Sequence, residues 1–326
     1  MTRLFLLVLV ASVAQADVTV ERHDGHIDVA IDGKPFTSYI YEGYRKPILF
    51  PVLGPGGIAM TRSWPMVDGV AGEPHDHPHH ESIWFTHGIV NGVDFWASHP
   101  TSPKADRKAN NRIQHAEVVT AEGGREGVIE TSNRWLTADD AHVCSDTLRV
   151  MFGGDEKTRW IDYFITIHAD HGPVTFGDTK EGAMGLRVPV QLQIKNLEGS
   201  KGAAGHCVNS EGLRDADAWG KPARWVSYWG PINGTTVGLA MLDHPSNLRH
   251  PTHWHARDYG LLAANPFGLH DFTGAKQGSG DHTIPAGGTL PLHYRMVFFE
   301  GDAEAADVES IWRGWTAADA AGKAAR

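Results

Sequence analysis

The strongest constraint on the fold is a two-residue period in hydrophobicity that recurs along the chain. In residues 26–32, Ile27, Val29 and Ile31 alternate with Asp28, Ala30 and Asp32, and Asp24-Gly25 and Asp32-Gly33 bracket the run. Alternate strand side chains point to opposite faces and Asp-Gly pairs favour tight turns, so the run reads as a half-buried strand. Similar runs occupy residues 126–131, 160–168, 186–194, 235–242 and 292–299. In residues 160–168, Ile161, Tyr163, Ile165 and Ile167 share one face. With 37 Gly and 18 Pro as punctuation, the pattern predicts an all-β fold, a large antiparallel sandwich or barrel forming one domain over residues 17–326. One segment has the helical period instead. Val308, Ile311, Trp312 and Trp315 fall at i, i+3, i+4 and i+7, which predicts a short C-terminal helix packing its tryptophans on a sheet. Asp302 is its expected N-cap, with Ala303 the first helical residue. Residues 100–111 are polar and basic and read as an exposed loop.

The N-terminus reads as an export signal. Arg3 precedes apolar residues 4–13 and then Ala14-Gln15-Ala16, the order of a secretory signal peptide over residues 1–16. The expected location is therefore periplasmic or secreted, with no membrane span in the mature chain. Lys and Arg number 29 against 39 Asp and Glu, a net charge of -10, which argues against nucleic acid or an anionic lipid surface as partner. The two cysteines, Cys144 and Cys207, can form a disulfide in an oxidising compartment, and sequence leaves that pairing open. No CxxC spacing exists, which argues against a cysteine zinc site.

Twenty histidines and 11 tryptophans point to ligand handling, and four clusters carry the chemistry. The first is residues 73–88, where five His and three carboxylates crowd together and Pro74 and Pro78 forbid a helix. If extended, His75, His77 and His79 share a face and can hold a divalent ion; His77 and His80 can equally act as acid or base without metal, or the loop is simply solvated. The second is residues 177–187, with Lys180, Glu181 and Arg187 among glycines; it is a ligand-binding turn or an exposed charged one. The third, residues 219–230, holds Trp219, Trp225, Tyr228 and Trp229, which read as core more readily than as a stacking platform. The fourth, residues 243–268, brings His244, His253, Trp254, His255, Arg257, Asp258 and Asn265 along irregular, Pro-bearing backbone, as loops that line sites do.

These clusters carry a resemblance. Residues 44–57 (YRKPILFPVLGPGG), 75–96 (HDHPHHESIWFTHGIVNGVDFW), 178–187 (DTKEGAMGLR), 219–230 and 243–268 (DHPSNLRHPTHWHARDYGLLAANPFG) resemble a widespread bacterial family of secreted proteins that carries the name PmoA, or methane oxygenase, and is otherwise of unknown function. The resemblance implies a supersandwich similar to galactose mutarotase, a fold that presents His, Glu, Asp and Arg to sugars; fold alone does not establish function. Glu81 stands where the family more often has Arg. If that position touches an anionic group, this member prefers a neutral substrate.

The expectation is a carbohydrate-active enzyme performing elimination, hydrolysis or epimerisation on a glycoside or sugar derivative. His255 held by Asp258 is cast as base or acid, Glu181 as the carboxylate, and His77 and His80 as the opposing acid or part of a metal set. Lys180, Arg187 and Arg257 are cast as stabilising oxyanion charge, and Trp229, Trp254, His244 and Asn265 as contacting substrate. One divalent metal ion is the cofactor the His cluster allows. Two alternatives remain: a metal-dependent oxygenase, as the family name implies, and a non-catalytic sugar-binding protein using Trp229 and Trp254 as platforms.

Overall fold

The computed structural model describes residues 17–99 and 110–324, so the expected signal segment and most of the basic stretch at 100–111 lie outside the described residues. Two eight-stranded antiparallel sheets make up the fold. The first has, in spatial order, β1 (Val18–His23), β2 (His26–Ile31), β3 (Lys34–Ile40), β4 (Ile48–Val52), β5 (Ile83–His87), β11 (Gly182–Arg187), β16 (Leu261–Asn265) and β15 (His253–Trp254). The second has β12 (His206–Asn209), β13 (Trp225–Ile232), β14 (Thr235–Asp243), β18 (Thr289–Glu300), β9 (Thr158–His168), β8 (His142–Gly154), β7 (Gly127–Leu136) and β6 (Arg112–Glu122). A two-stranded ribbon joins β10 (Val174–Phe176) and β17 (His282–Ile284).

The sheets pack face to face, as an all-β sandwich. Phe36 of β3 meets Phe152 and Phe298 edge-on at 6.3 and 6.1 Å, and Phe85 of β5 meets Trp135 of β7 at 6.3 Å. The predicted alternation falls where expected: Ile161, Tyr163, Ile165 and Ile167 of β9 are buried in this core. Residues 186–194 do not form the expected strand. Pairing ends at Arg187 and Val190–Leu192 makes a 3-10 turn. Pro189 has no N–H to pair, yet Val188, Val190 and Leu192 are buried all the same, so apolar content without a ladder produced the misleading signal.

After the one-turn helix α1 (Leu269–Thr273), the C-terminal helix α2 spans Val308–Ala324, later than expected. Asp302 accepts from the amides of Glu304 and Ala305, closing a turn, and Asp307 then takes the Ser310 amide at 3.2 Å as the working cap. Val308 and Trp315 bury against Leu242, Val297 and Phe299 on the outer face of the second sheet. Among the described residues no helix is long and apolar enough to cross a membrane.

The cysteine pairing is settled by topology. Cys144 lies on β8 and Cys207 on β12, five strands apart in one sheet, or roughly 24 Å at the usual strand spacing. Both are free and buried, and no disulfide can span that distance.

Candidate active site

The site lies on the outer face of the first sheet, away from the sandwich core. On β5, Ile83 and Phe85 join the core while Trp84 turns outward to pack with Trp96, Leu261 and Ala263. Gly185 faces Trp84 across the β5–β11 pairing. A Cβ at Gly185 would stand 2.6 Å from the indole ring, so only glycine leaves room for Trp84. On this layer rests a column of rings: Trp84 stacks on His80 at 5.4 Å, His80 on His77 at 4.7 Å, and His77 on Tyr259 at 5.2 Å.

The column is held from behind by two buried arginines and one carboxylate. Arg62 contacts Asp76 at 2.6 Å, and Arg187 reaches both Asp76 oxygens at 2.9 Å. Arg62 also donates to the carbonyls of Trp64, Asp76 and His77, which fixes the path of the loop that carries the histidines. Burial by itself would raise the Asp76 pKa. The His77 hydrogen bond, Arg187 and Arg62 outweigh it and hold the carboxyl well below the usual range. Arg187 donates to His80 Nδ1 at 3.0 Å. A guanidinium only donates, so His80 is the neutral Nε2–H tautomer. Burial, His79 and Arg187 keep its pKa far down.

A cleft of about 600 Å³ opens beside the column, lined by His77, His79, His80, Asp94, Trp96, Lys180, Glu181, His255, Arg257 and Tyr259 among others. The first, second and fourth sequence clusters therefore converge, because β5, β11, β16 and β15 are adjacent strands. His255 Nδ1 donates to the Lys180 carbonyl at 3.0 Å, and burial lowers its pKa to about 4. Its Nε2 keeps a lone pair and, like His79 Nδ1 and His80 Nε2, is buried without a hydrogen-bond partner. Burial raises the Glu181 pKa against the opposing effects of Lys180 and His77, although the side chain is 40% exposed, which moderates the shift. Lys180 lies 3.6 Å from Glu181 and 3.8 Å from Asp271. The guanidinium groups of Arg187 and Arg257 both lie over the Tyr259 ring, at 4.8 and 5.2 Å from its centroid.

Several sequence expectations are corrected here. Asp258 does not hold His255: it occupies a turn whose carbonyl binds the Ile194 and Lys195 amides, and its carboxylate faces Lys195 at 3.9 Å. Arg187 is fully buried on Asp76 and supports the column rather than touching solvent. Trp254 is fully buried with its indole N–H on the Ala223 carbonyl, so it is core and not a platform. Asn265 is buried and bridges the Thr179 carbonyl to the Phe267 amide. His244 lies under α2, stacked on His293 and edge-on to Trp315. Trp229 borders a separate concavity of about 360 Å³ between β13 and the start of α2.

The metal set His75, His77 and His79 is not assembled. His77 adopts a φ of 47°, which breaks the extended alternation, and His75 leaves to stack on Trp64 at 5.0 Å. Glu81 is buried against Lys46, and so is not a substrate contact. Residues that the sequence reading passed over include Tyr259, Trp96 and Asp94 in the cleft and Arg62 behind it. Tyr259, beside Arg257 and before Gly260, carried a local signal; Arg62, an isolated residue in a loop, carried none.

A comparison with curated proteins found no match. Among solved structures, the chain is similar to a galactose mutarotase related enzyme from Lactobacillus acidophilus, at 8% identity and a TM-score of 0.28 over 86% of this chain and 97% of that one. It is similar also to 4-alpha-glucanotransferase from Thermococcus litoralis, at 8% identity and a TM-score of 0.27 over 88% of this chain and 40% of that one. The model of a family of unknown function, DUF6807, matches residues 26–313, and the chain belongs to that family.

Proposed function

We propose that the cleft is the active site of an exported enzyme that moves a proton on a polyhydroxylated carbonyl compound, by elimination or epimerisation of a sugar derivative. The observation that carries this reading is the opposed tuning of two lining groups. Burial leaves His255 neutral with an unpartnered Nε2, while burial raises Glu181 toward its protonated form. A base and an acid pushed apart in this way are the parts that proton transfer needs. Lys180 and Arg257 supply positive charge for a developing enolate oxygen, and the phenol ring of Tyr259 offers a flat wall for a sugar ring.

The test is deuterium wash-in. Untagged protein beginning at Asp17 is incubated in D2O, under argon, with a panel of aldoses, ketoses and uronates, and exchange next to the carbonyl is followed by proton NMR. Exchange or double-bond formation by the wild type, lost in His255→Gln, supports the reading. Turnover undiminished in His255→Gln, or none on the whole panel, overturns it. Turnover that appears only when oxygen is admitted would instead favour the oxygenase chemistry that the PmoA name implies. Export is tested separately, by the N-terminal sequence of the protein recovered from its native cell: cleavage after Ala16 is the expected outcome.

A further inference from the structure

The β1–β2 hairpin carries a second chemical cluster, outside the cleft. Its cross-strand pairs include His23 with His26 and Glu21 with Asp28. Residues two apart share a strand face, so all four side chains lie together, opposite the buried Ile27, Val29 and Ile31. His23 Nε2 lies 3.5 Å from Asp28 and 3.9 Å from Glu21, and His26 Nε2 lies 3.7 Å from Asp28. The ligating atoms of His23, His26 and Asp28 all fall within 4.8 Å of one another.

We propose that this hairpin binds a divalent transition metal ion of the zinc class, with His23 Nε2, His26 Nε2 and the Asp28 carboxylate as ligands and Glu21 or water as the fourth. Tetrahedral ligands about 2.1 Å from zinc stand roughly 3.4 Å apart. The two histidine–Asp28 separations exceed that by only a few tenths of an ångström, although they reach different carboxylate oxygens. The His23 and His26 rings, stacked at 4.8 Å with planes 18° apart, turn toward each other to let both Nε2 lone pairs converge on the ion. The outer contacts fit as well. His26 Nδ1 donates to the Asp24 carbonyl at 3.2 Å, which leaves Nε2 as the lone-pair nitrogen facing Asp28. Ser38 donates to the Asp28 carboxylate. A metal-bound imidazole and carboxylate are commonly oriented by such partners. Two neutral imidazoles and two carboxylates also balance the ion's charge, and both donor types suit zinc. The other set with this spacing, His142, Asp170 and His171, is less available. His142 Nε2 is already bonded to the Cys144 carbonyl and Ser145, and Ser145 donates to Asp170.

The ion would pin the hairpin at the edge of the first sheet, where β1, beyond its pairing with β2, is bridged at Val18 to Gly124, remote from the proposed chemistry. The test uses the untagged chain from Asp17, stripped with EDTA, titrated with Zn2+ by calorimetry and with Co2+ by visible absorption. The wild type is expected to bind an ion that produces the bands of four-coordinate Co2+ and raises Tm. His23→Gln and His26→Gln should each weaken that ion at least about tenfold and abolish the bands, while His142→Gln leaves both unchanged. Circular dichroism confirms that each variant is folded, and two independent variants guard against loss of one. Wild-type titration without uptake at micromolar Zn2+, or uptake and bands that survive in both hairpin variants, overturns the assignment.

Discussion

His255 Nδ1 and the Lys180 carbonyl are joined by a 3.0 Å hydrogen bond between residues 75 positions apart. The bond fixes the imidazole to the peptide just before Glu181 and sets its tautomer, so the imidazole and the carboxyl that line the cleft are held by one contact. The β11–β16 pairing, from Met184↔Ala264 to Arg187↔Leu261, brings the two segments side by side.

Under the proposed proton transfer, the pH dependence of turnover follows from the two groups. His255 acts as base only when neutral, so the rate should fall as pH drops toward its pKa of about 4. Glu181 acts as acid only when protonated, so the rate should fall again as pH rises through its raised pKa. A bell-shaped profile is expected, with the acid limb absent in His255→Gln and the rate lower by about 10²–10⁴-fold.

Stability should decline in mild acid. Burial lowers His87 and His255 from 6.5 to about 4, so between those values the unfolded chain takes protons that the folded one refuses. Their stabilisation is full above the unfolded pKa and is lost as pH falls through this window. Asp146 works the other way: burial raises it to about 6, so its share is lost as pH rises. These three groups together give a loss on the order of 2 kcal/mol from pH 7 to pH 5. His79, His80 and His99, lowered by burial in the same way, add to it, and the sum is to be read from urea unfolding at the two pH values.

Asp76→Asn removes the counter-charge of two fully buried guanidinium groups, Arg62 and Arg187. Breaking a buried pair from one side costs about 3–5 kcal/mol. The change should lower the unfolding free energy by that amount, read from the shift of the urea midpoint, and loosen the ring column, seen as lost near-UV dichroism.

Gly185→Ala places a methyl 2.6 Å from the Trp84 ring. Overpacking of this kind costs about 1–3 kcal/mol. Because Trp84 supports His80, the variant should lose turnover beyond its loss of stability, with altered tryptophan fluorescence as the direct sign.

Cys144 and Cys207 should stay reduced in an oxidising buffer. In the folded protein neither should react with a thiol reagent, since burial raises both pKa values and hides both sulfurs. Both should react once the chain is unfolded, and a reductant should not shift Tm.

The β architecture is legible before any tertiary contact is known, because a period of two is a local property: residues 26–32, 160–168, 235–242 and 292–299 each declare a buried face without reference to the rest of the chain. The histidine-rich segments were legible as site-building for the same local reason, in composition and proline content. Tertiary structure alone decided which side chains meet. The positive φ of His77 breaks the alternation that would have aligned His75, His77 and His79. The turn at Asp258 sends its carboxylate to Lys195 rather than to His255. Arg187 spends its charge on Asp76, 111 residues away, an ion pair that no local pattern encodes. Periodicity assigns faces only where the backbone is regular; in loops, direction is fixed by long-range hydrogen bonds and buried charge, which exist only after the strands have paired.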